Sequence, residues 1–203
     1  MDGDDDAWLH LLDNVPRLIA IDGSAAMLDI ARTKIGEMGV KNVYFRSESA
    51  VPKLSFADDV YVMVICILGL SDFERPESAL KDFARVTRPG GEVRCTLPLL
   101  GTFQEFFDIY REVLTKHDKH ETLQALQDYL TTNLWDVDQC YEWMETAGLE
   151  DASVEVDEFS MLFKSSREFF FAPVIEYGPL SEWKQVAGKG QERRHALQPV
   201  TGS

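Results

Sequence analysis

The chain has 203 residues, 45 % of them hydrophobic, with 20 Lys and Arg against 35 Asp and Glu, for a formal net charge of −15. That apolar fraction builds a core and excludes global disorder, and the length suits one domain, or one domain with a tail. An acidic surface of this strength repels phosphate backbones and anionic bilayers, which leaves no nucleic acid and no membrane among the expected partners.

The three cysteines, Cys66, Cys95 and Cys140, are odd in number, widely spaced and without a Cys-x-x-Cys pair. They read as reduced thiols of a cytoplasmic protein. The opening Met1-Asp2-Gly3-Asp4-Asp5-Asp6 is acidic rather than a charged-then-apolar leader. No apolar run approaches the roughly 20 residues that span a bilayer.

In chain order, Trp8, Leu11, Leu12 and Val15 have helical spacing behind an acidic cap, which predicts a short helix over 6–14 that Pro16 ends. Leu18 to Ile21 is a continuous apolar strand of the kind covered on both faces in a parallel sheet. Ser24 caps a helix with Met27, Leu28, Ala31, Ile35 and Met38 on its inner face, and Gly39 closes it. Asn42 to Phe45 and Val60 to Leu68 are the next strands. Pro76 opens a helix carrying Leu80, Phe83, Ala84 and Val86, which stops at a Pro89-Gly90-Gly91 turn before the strand "EVRCTLPL". Strands alternating with helices predict an α/β fold with a parallel, doubly wound sheet.

The second half opens with helices. Phe103, Phe106, Phe107, Tyr110, Val113 and Leu114 form an apolar stripe, followed by helices near 121–131 and 136–147, the last stopped by Gly148. "SVEVDEFSMLF" alternates, with its apolar face switching near Phe159, as one long bulged strand or two short ones. Ser165 and Glu168 are spaced as a capping box before "FFFAPVI". From Ala187 the composition turns polar and basic, and a poorly ordered tail is expected over 187–203. The expected domain is therefore 1–186.

Asp22 stands at the junction of strand and helix. An acidic residue at the end of such a strand accepts hydrogen bonds from the two hydroxyls of a ribose, since ligands of open α/β sheets sit outside the carboxyl ends of the strands. It also complements the N-terminal dipole of the next helix, and both readings stand. His117 and His120 have a spacing compatible with one helical face, but their charged neighbours point to a solvated helix end. No metal is expected.

"IDGSAAMLDIAR" and "SALKDFARVTRPGGEVRCTLP" together resemble the class I S-adenosylmethionine-dependent methyltransferase family. The family carries Asp-x-Ser-x-x-Met-Leu-x-x-Ala after its second strand, here Asp22, Ser24, Met27, Leu28 and Ala31. It carries Arg-Val-x-x-Pro-Gly-Gly before its fifth, here Arg85, Val86, Pro89, Gly90 and Gly91. "WMETAGLEDASVEV" is similar to the turn before the family's sixth strand.

The resemblance implies a Rossmann-like, doubly wound, mostly parallel sheet with a helical lid at about 102–147. It implies S-adenosyl-L-methionine as cosubstrate, with Asp22 on its ribose, Gly23 and Met27 beside the adenine, and Ser47 facing the adenine edge. A one-residue shift puts Glu48 in that role instead. Cys66 and Leu68 would border the methyl donor and acceptor. Methyl transfer is an in-line displacement from a sulfonium, so alignment supplies much of the rate and no fixed catalytic side chain is implied. The implied function is transfer to a small-molecule or carrier-bound acyl acceptor. "TLPLLGTFQEF" is loosely similar to methyltransferases acting on malonyl-carrier protein.

Two family features are missing or altered. The first strand and its Gly-x-Gly-x-Gly loop belong upstream of the first helix, where only Gly3 stands among aspartates, and the usual acidic adenine partner is Ser47. Without a first strand, "RLIAI" and "VYVMVICIL" would flank a vacant central position, so direct pairing of these two strands or self-association through an open sheet edge is expected. The alternative function is a catalytically inactive or truncated methyltransferase-fold module that binds or scaffolds.

Overall fold

A computed structural model describes residues 15–48, 53–73 and 75–196. The chain divides into two compact units, one running to Thr96 and including Trp143–Glu150, the other comprising Leu97–Glu142 and Asp151–Ser203.

In the first unit the order is β1 (Leu18–Asp22), α1 (Ala25–Glu37), β2 (Val43–Ser47), β3 (Tyr61–Ile67), a 3-10 turn (Gly69–Asp72), α2 (Pro76–Val86) and β4 (Thr87–Thr96). The β-branched and aromatic runs make the strands, as their pleat-filling shapes favour. β1 pairs parallel with β2, from Leu18 opposite Val43 to Asp22 opposite Ser47, and β3 pairs parallel with β4. Each parallel pair is joined by its helix, the βαβ arrangement expected of a doubly wound α/β fold.

α1 is capped as expected, with the Met27 N–H donating to Ser24 Oγ, and Gly39 closes it at φ +70°. Leu28 and Ile35 are its buried residues; Met27 and Met38, expected on the inner face, are 45 % and 53 % exposed. α2 begins with Pro76 at its first position, where the missing N–H costs nothing. It buries Ala79, Leu80, Phe83 and Val86 in one stripe and packs on β4.

Three further expectations are corrected. Pro89-Gly90-Gly91 is not a turn ahead of a strand but lies within β4. Tyr61 is opposite Thr87 and Met63 opposite Glu92, so two steps along β3 match five along β4, a bulge that absorbs the tripeptide. Among the described residues the strands form two two-stranded sheets, and β1 does not pair with β3. Residues 152–163 form no strand. They are largely exposed, with Phe159 at 81 % and Leu162 at 94 %, because alternation without a partner edge forms no ladder. The predicted helix over 6–14 lies outside the described residues.

The second unit contains α3 (Gln104–Lys116), α4 (His120–Asn133), the start of α5 (Val137–Thr146), α6 (Ser166–Phe170), α7 (Pro173–Glu176) and α8 (Leu180–Ala196). Its core joins Phe107, Leu114, Leu126, Leu130, Ile175, Trp183 and Val186. Trp183 stacks on Phe106 with ring centroids 4.5 Å apart. Burial of each such side chain contributes about 1.5–3 kcal/mol. One half of the capping box forms, with Ser165 Oγ accepting from the Glu168 N–H, while the Glu168 carboxylate accepts from the N–H of Lys164, one residue before the cap. Helix α8 continues to Ala196, past the point where a loose tail was expected.

Candidate functional site

The carboxyl ends of β1 and β2 bring Asp22, Gly23, Ser47 and Glu48 together. Asp22 is the last residue of β1 and is exposed, as is Ser47, its partner across the ladder. The Glu48 N–H extends the ladder by donating to the Asp22 carbonyl at 3.1 Å. Asp22 Oδ1 accepts from the Ser24 N–H at 2.7 Å, so the carboxylate closes the turn into α1. A carboxylate offers about four acceptor positions, so capacity remains for hydroxyl donors outside the strand end. A Cβ built on Gly23 would meet nothing within 4 Å, and the turn is open on that side. Met27 is one turn into α1 and exposed.

Glu48 is tied into its own surroundings. Its carboxylate accepts from the Ser55 backbone N–H, from Ser55 Oγ at 2.9 Å and from Arg46 Nε at 2.8 Å. The Ser55 backbone bond, ahead of partial burial that opposes it, holds this carboxyl below its ordinary value of 4.5. Arg46 also bonds Ser55 Oγ and lies over the Phe56 ring at 4.7 Å. Ser55 and Phe56 are thus held at the end of β2 by Glu48 and Arg46.

Cys66 lies near the carboxyl end of β3, opposite Cys95 of β4, and both are half-buried. Leu68 follows with a left-handed backbone, φ +55°, and its N–H donates to both Thr96 O and Thr96 Oγ1. A non-glycine residue in that region carries strain, a feature that gathers at ligand sites.

Sequence reasoning missed a second polar knot. Arg85 Nε donates to Asp82 Oδ1, Nη1 to Asp58 Oδ1 and the Phe56 carbonyl, and Nη2 to the Leu54 carbonyl. The signal was present: Asp82 is an acidic residue inside the buried stripe of α2, one turn before Arg85. His117 and His120 fall on opposite sides of a helix break, at the end of α3 and the start of α4. Among the described residues no cluster of three His, Cys, Asp or Glu side chains is placed to hold a metal ion. No helix among them is long and apolar enough to cross a membrane.

Comparison with known proteins finds similarity to methyltransferases. Residues 3–95 match the family model described as a methyltransferase domain. The demethylmenaquinone methyltransferase of Halalkalibacterium halodurans is 28 % identical over 144 residues, covering 66 % of this chain and 58 % of that protein. The demethylmenaquinone methyltransferase of Lactococcus lactis is 32 % identical over 97 residues, covering 46 % and 38 %. The ubiquinone/menaquinone biosynthesis C-methyltransferase UbiE of Shewanella baltica is 26 % identical over 149 residues, covering 70 % and 59 %. The chain thus spans less than two thirds of the length of these relatives.

Among solved structures, the YcgJ protein of Bacillus subtilis superposes with a TM-score of 0.51 at 19 % identity, covering 68 % of this chain and 55 % of that one. A chain of the complex between the Haloferax volcanii Trm112 methyltransferase activator and a methyltransferase gives 0.57 at 20 %, covering 82 % and 67 %. These likenesses are of fold. The chain has the Rossmann-like α/β fold, and its residues 3–95 are similar to a methyltransferase domain.

Proposed function

We propose that this chain binds S-adenosyl-L-methionine at the carboxyl ends of β1 and β2 and directs its methyl group to a small-molecule acceptor. The observation that carries the reading is Asp22: an exposed carboxylate at the end of a parallel strand, beside a glycine with open space where a side chain would be. The cosubstrate supplies an electrophilic methyl group on a sulfonium. Asp22 accepts from the ribose hydroxyls, Gly23 admits the nucleoside to the backbone, and Met27 and Ser47 line the adenine. Cys66 borders the reacting end of the site. Glu48, held by Arg46 and Ser55, ties Ser55 to the end of β2 rather than reaching for the adenine amino group.

The similarity to a demethylmenaquinone methyltransferase and to a ubiquinone/menaquinone biosynthesis C-methyltransferase favours an aromatic ring of quinone type over a carrier-bound acyl group as acceptor. Isothermal titration with S-adenosylmethionine and its demethylated product tests the binding step. Saturable heat with both ligands is expected; absence of heat at millimolar ligand removes the reading.

A non-catalytic binding module is the second reading. It is favoured by the two separate strand pairs, whose remaining β1 and β3 edges carry no strand among the described residues, and by Val62 and Ile65 of β3, 53 % and 37 % exposed. Edges of this kind recruit a further chain. Light scattering during chromatography and a radiolabelled methyl-transfer assay with a demethylated quinone separate the two readings. Transfer by a monomer supports the enzyme; self-association without transfer supports the module.

A further inference from the structure

Cys66 and Cys95 are direct partners across the parallel β3–β4 pair. Partners in a parallel ladder stand about 4.8 Å apart with their side chains on the same face, inside the 4.4–6.8 Å Cα separation that a disulfide spans. We propose that Cys66 and Cys95 form a peroxide-sensitive dithiol that closes to an intrachain disulfide at the carboxyl end of β3. This site stands on the strand register and does not depend on the proposed function.

The two thiols are not equivalent. The hydrogen bond with Cys66 and then burial push the Cys95 thiol upward in pKa. Cys66 is the sulfur that meets the oxidant, on the side that Gly69 leaves open. Its Sγ lies 3.4 Å from where a Cβ on Gly69 would be, and glycine there leaves the sulfur uncovered on that side. The Cys66 thiolate attacks one oxygen of a hydroperoxide, breaking the O–O bond; with hydrogen peroxide the leaving hydroxide takes a proton and departs as water. The Cys95 sulfur then attacks the Cys66 sulfenic sulfur, forming S–S and releasing the sulfenic oxygen with the Cys95 proton as a second water. Two thiols are oxidised and one peroxide is reduced. Cys140, buried in α5, has no cysteine partner among these contacts and serves as the internal control.

The test treats the unsubstituted chain and Cys140→Ser with one equivalent of hydrogen peroxide, then maps peptides without reduction. Both should lose two hydrogens and yield one Cys66–Cys95 linked peptide that dithiothreitol separates, with a thermal midpoint several degrees higher in the oxidised form. In Cys95→Ser the resolving thiol is gone, and a dimedone adduct should accumulate on Cys66. Sulfinic acid at Cys66 without a linked peptide, both thiols unchanged, links only between molecules, or no dimedone adduct would each overturn the proposal. The mapping of the unsubstituted chain decides the matter should either variant misfold.

Discussion

Asp82 and Arg85 lie one turn apart on α2 and are joined at 2.7 Å, with the other Asp82 oxygen accepting from the Leu54 backbone N–H at 2.5 Å. Through this pair α2 holds the segment 54–58 by four hydrogen bonds, to Leu54, Phe56 and Asp58. The same segment carries Ser55, the partner of Glu48, and Phe56, which meets the Tyr61 ring edge-on at 5.1 Å. The Arg of the Arg-Val-x-x-Pro-Gly-Gly motif is thus a structural anchor for the loop that faces the end of β2.

Asp82→Ala leaves Arg85 Nε and the Leu54 backbone amide without their acceptor. Loss of one partner of a buried pair costs roughly 3–5 kcal/mol. The Arg85 side chain is 19 % exposed and keeps three other acceptors, which lowers the expected cost to about 2–3 kcal/mol. Urea unfolding should show a lower midpoint at unchanged slope. A change under about 0.5 kcal/mol, the size of an ordinary surface substitution, would mean the loop is held by packing alone.

Glu48 makes stability depend on pH. Its carboxyl is held below the ordinary value of 4.5, first by the Ser55 N–H bond. A depressed carboxyl contributes stability that is present above the unfolded value and is lost as pH falls through the folded one. The difference in unfolding free energy between the native chain and Glu48→Gln should therefore be constant near neutrality and shrink on acidification from about pH 4.5 downward. A difference that grows in acid would place the shift in the opposite direction.

The strands and the helices α1–α5 were legible because each is a run of one period with a marked end: Ser24 and Gly39 around α1, Pro76 before α2, Gly148 after α5. The parallel character was legible in the unbroken apolar runs of β1 and β3. Other features depend on a partner that local pattern does not contain. The bulge in β4 exists because Tyr61 and Met63 must both find opposites, and "SVEVDEFSMLF" remains coil because no edge receives it. Of the candidate site, Asp22, Gly23 and Ser47 are neighbours as their strand ends implied. The engagement of Glu48 by Ser55 was not legible, because it joins residues across a loop with no periodicity.

Gly90 and Gly91 should respond differently to alanine. Gly90 has φ +75° and open space around a built Cβ, so Gly90→Ala costs only the left-handed backbone, roughly 1–2 kcal/mol. A Cβ on Gly91 would come within 2.6 Å of Thr87 Cγ2, 2.8 Å of the Val62 carbonyl oxygen and 2.9 Å of the Arg88 carbonyl oxygen. Two of these are backbone atoms of the bulged ladder and cannot rotate away. Gly91→Ala should lower the thermal midpoint further than Gly90→Ala; equal shifts would mean the bulge relaxes freely.

Asp22→Asn separates the two roles of this residue. Asparagine keeps an oxygen that accepts from the Ser24 N–H, so the turn into α1 survives and unfolding free energy should stay within about 0.5 kcal/mol of the native chain. The charge is lost, and with it the stronger part of a bond to ribose hydroxyls. A charge-assisted hydrogen bond contributes about 1.5–3 kcal/mol, so the dissociation constant for S-adenosylmethionine should rise about tenfold or more. Asp22→Ala should weaken binding similarly and, by removing the turn bond, also destabilise the fold by about 0.5–1.5 kcal/mol. Titration calorimetry on both variants, with urea unfolding of each beside it, decides between the roles. Unchanged affinity in Asp22→Asn together with lower stability in Asp22→Ala would make Asp22 a helix-start residue alone.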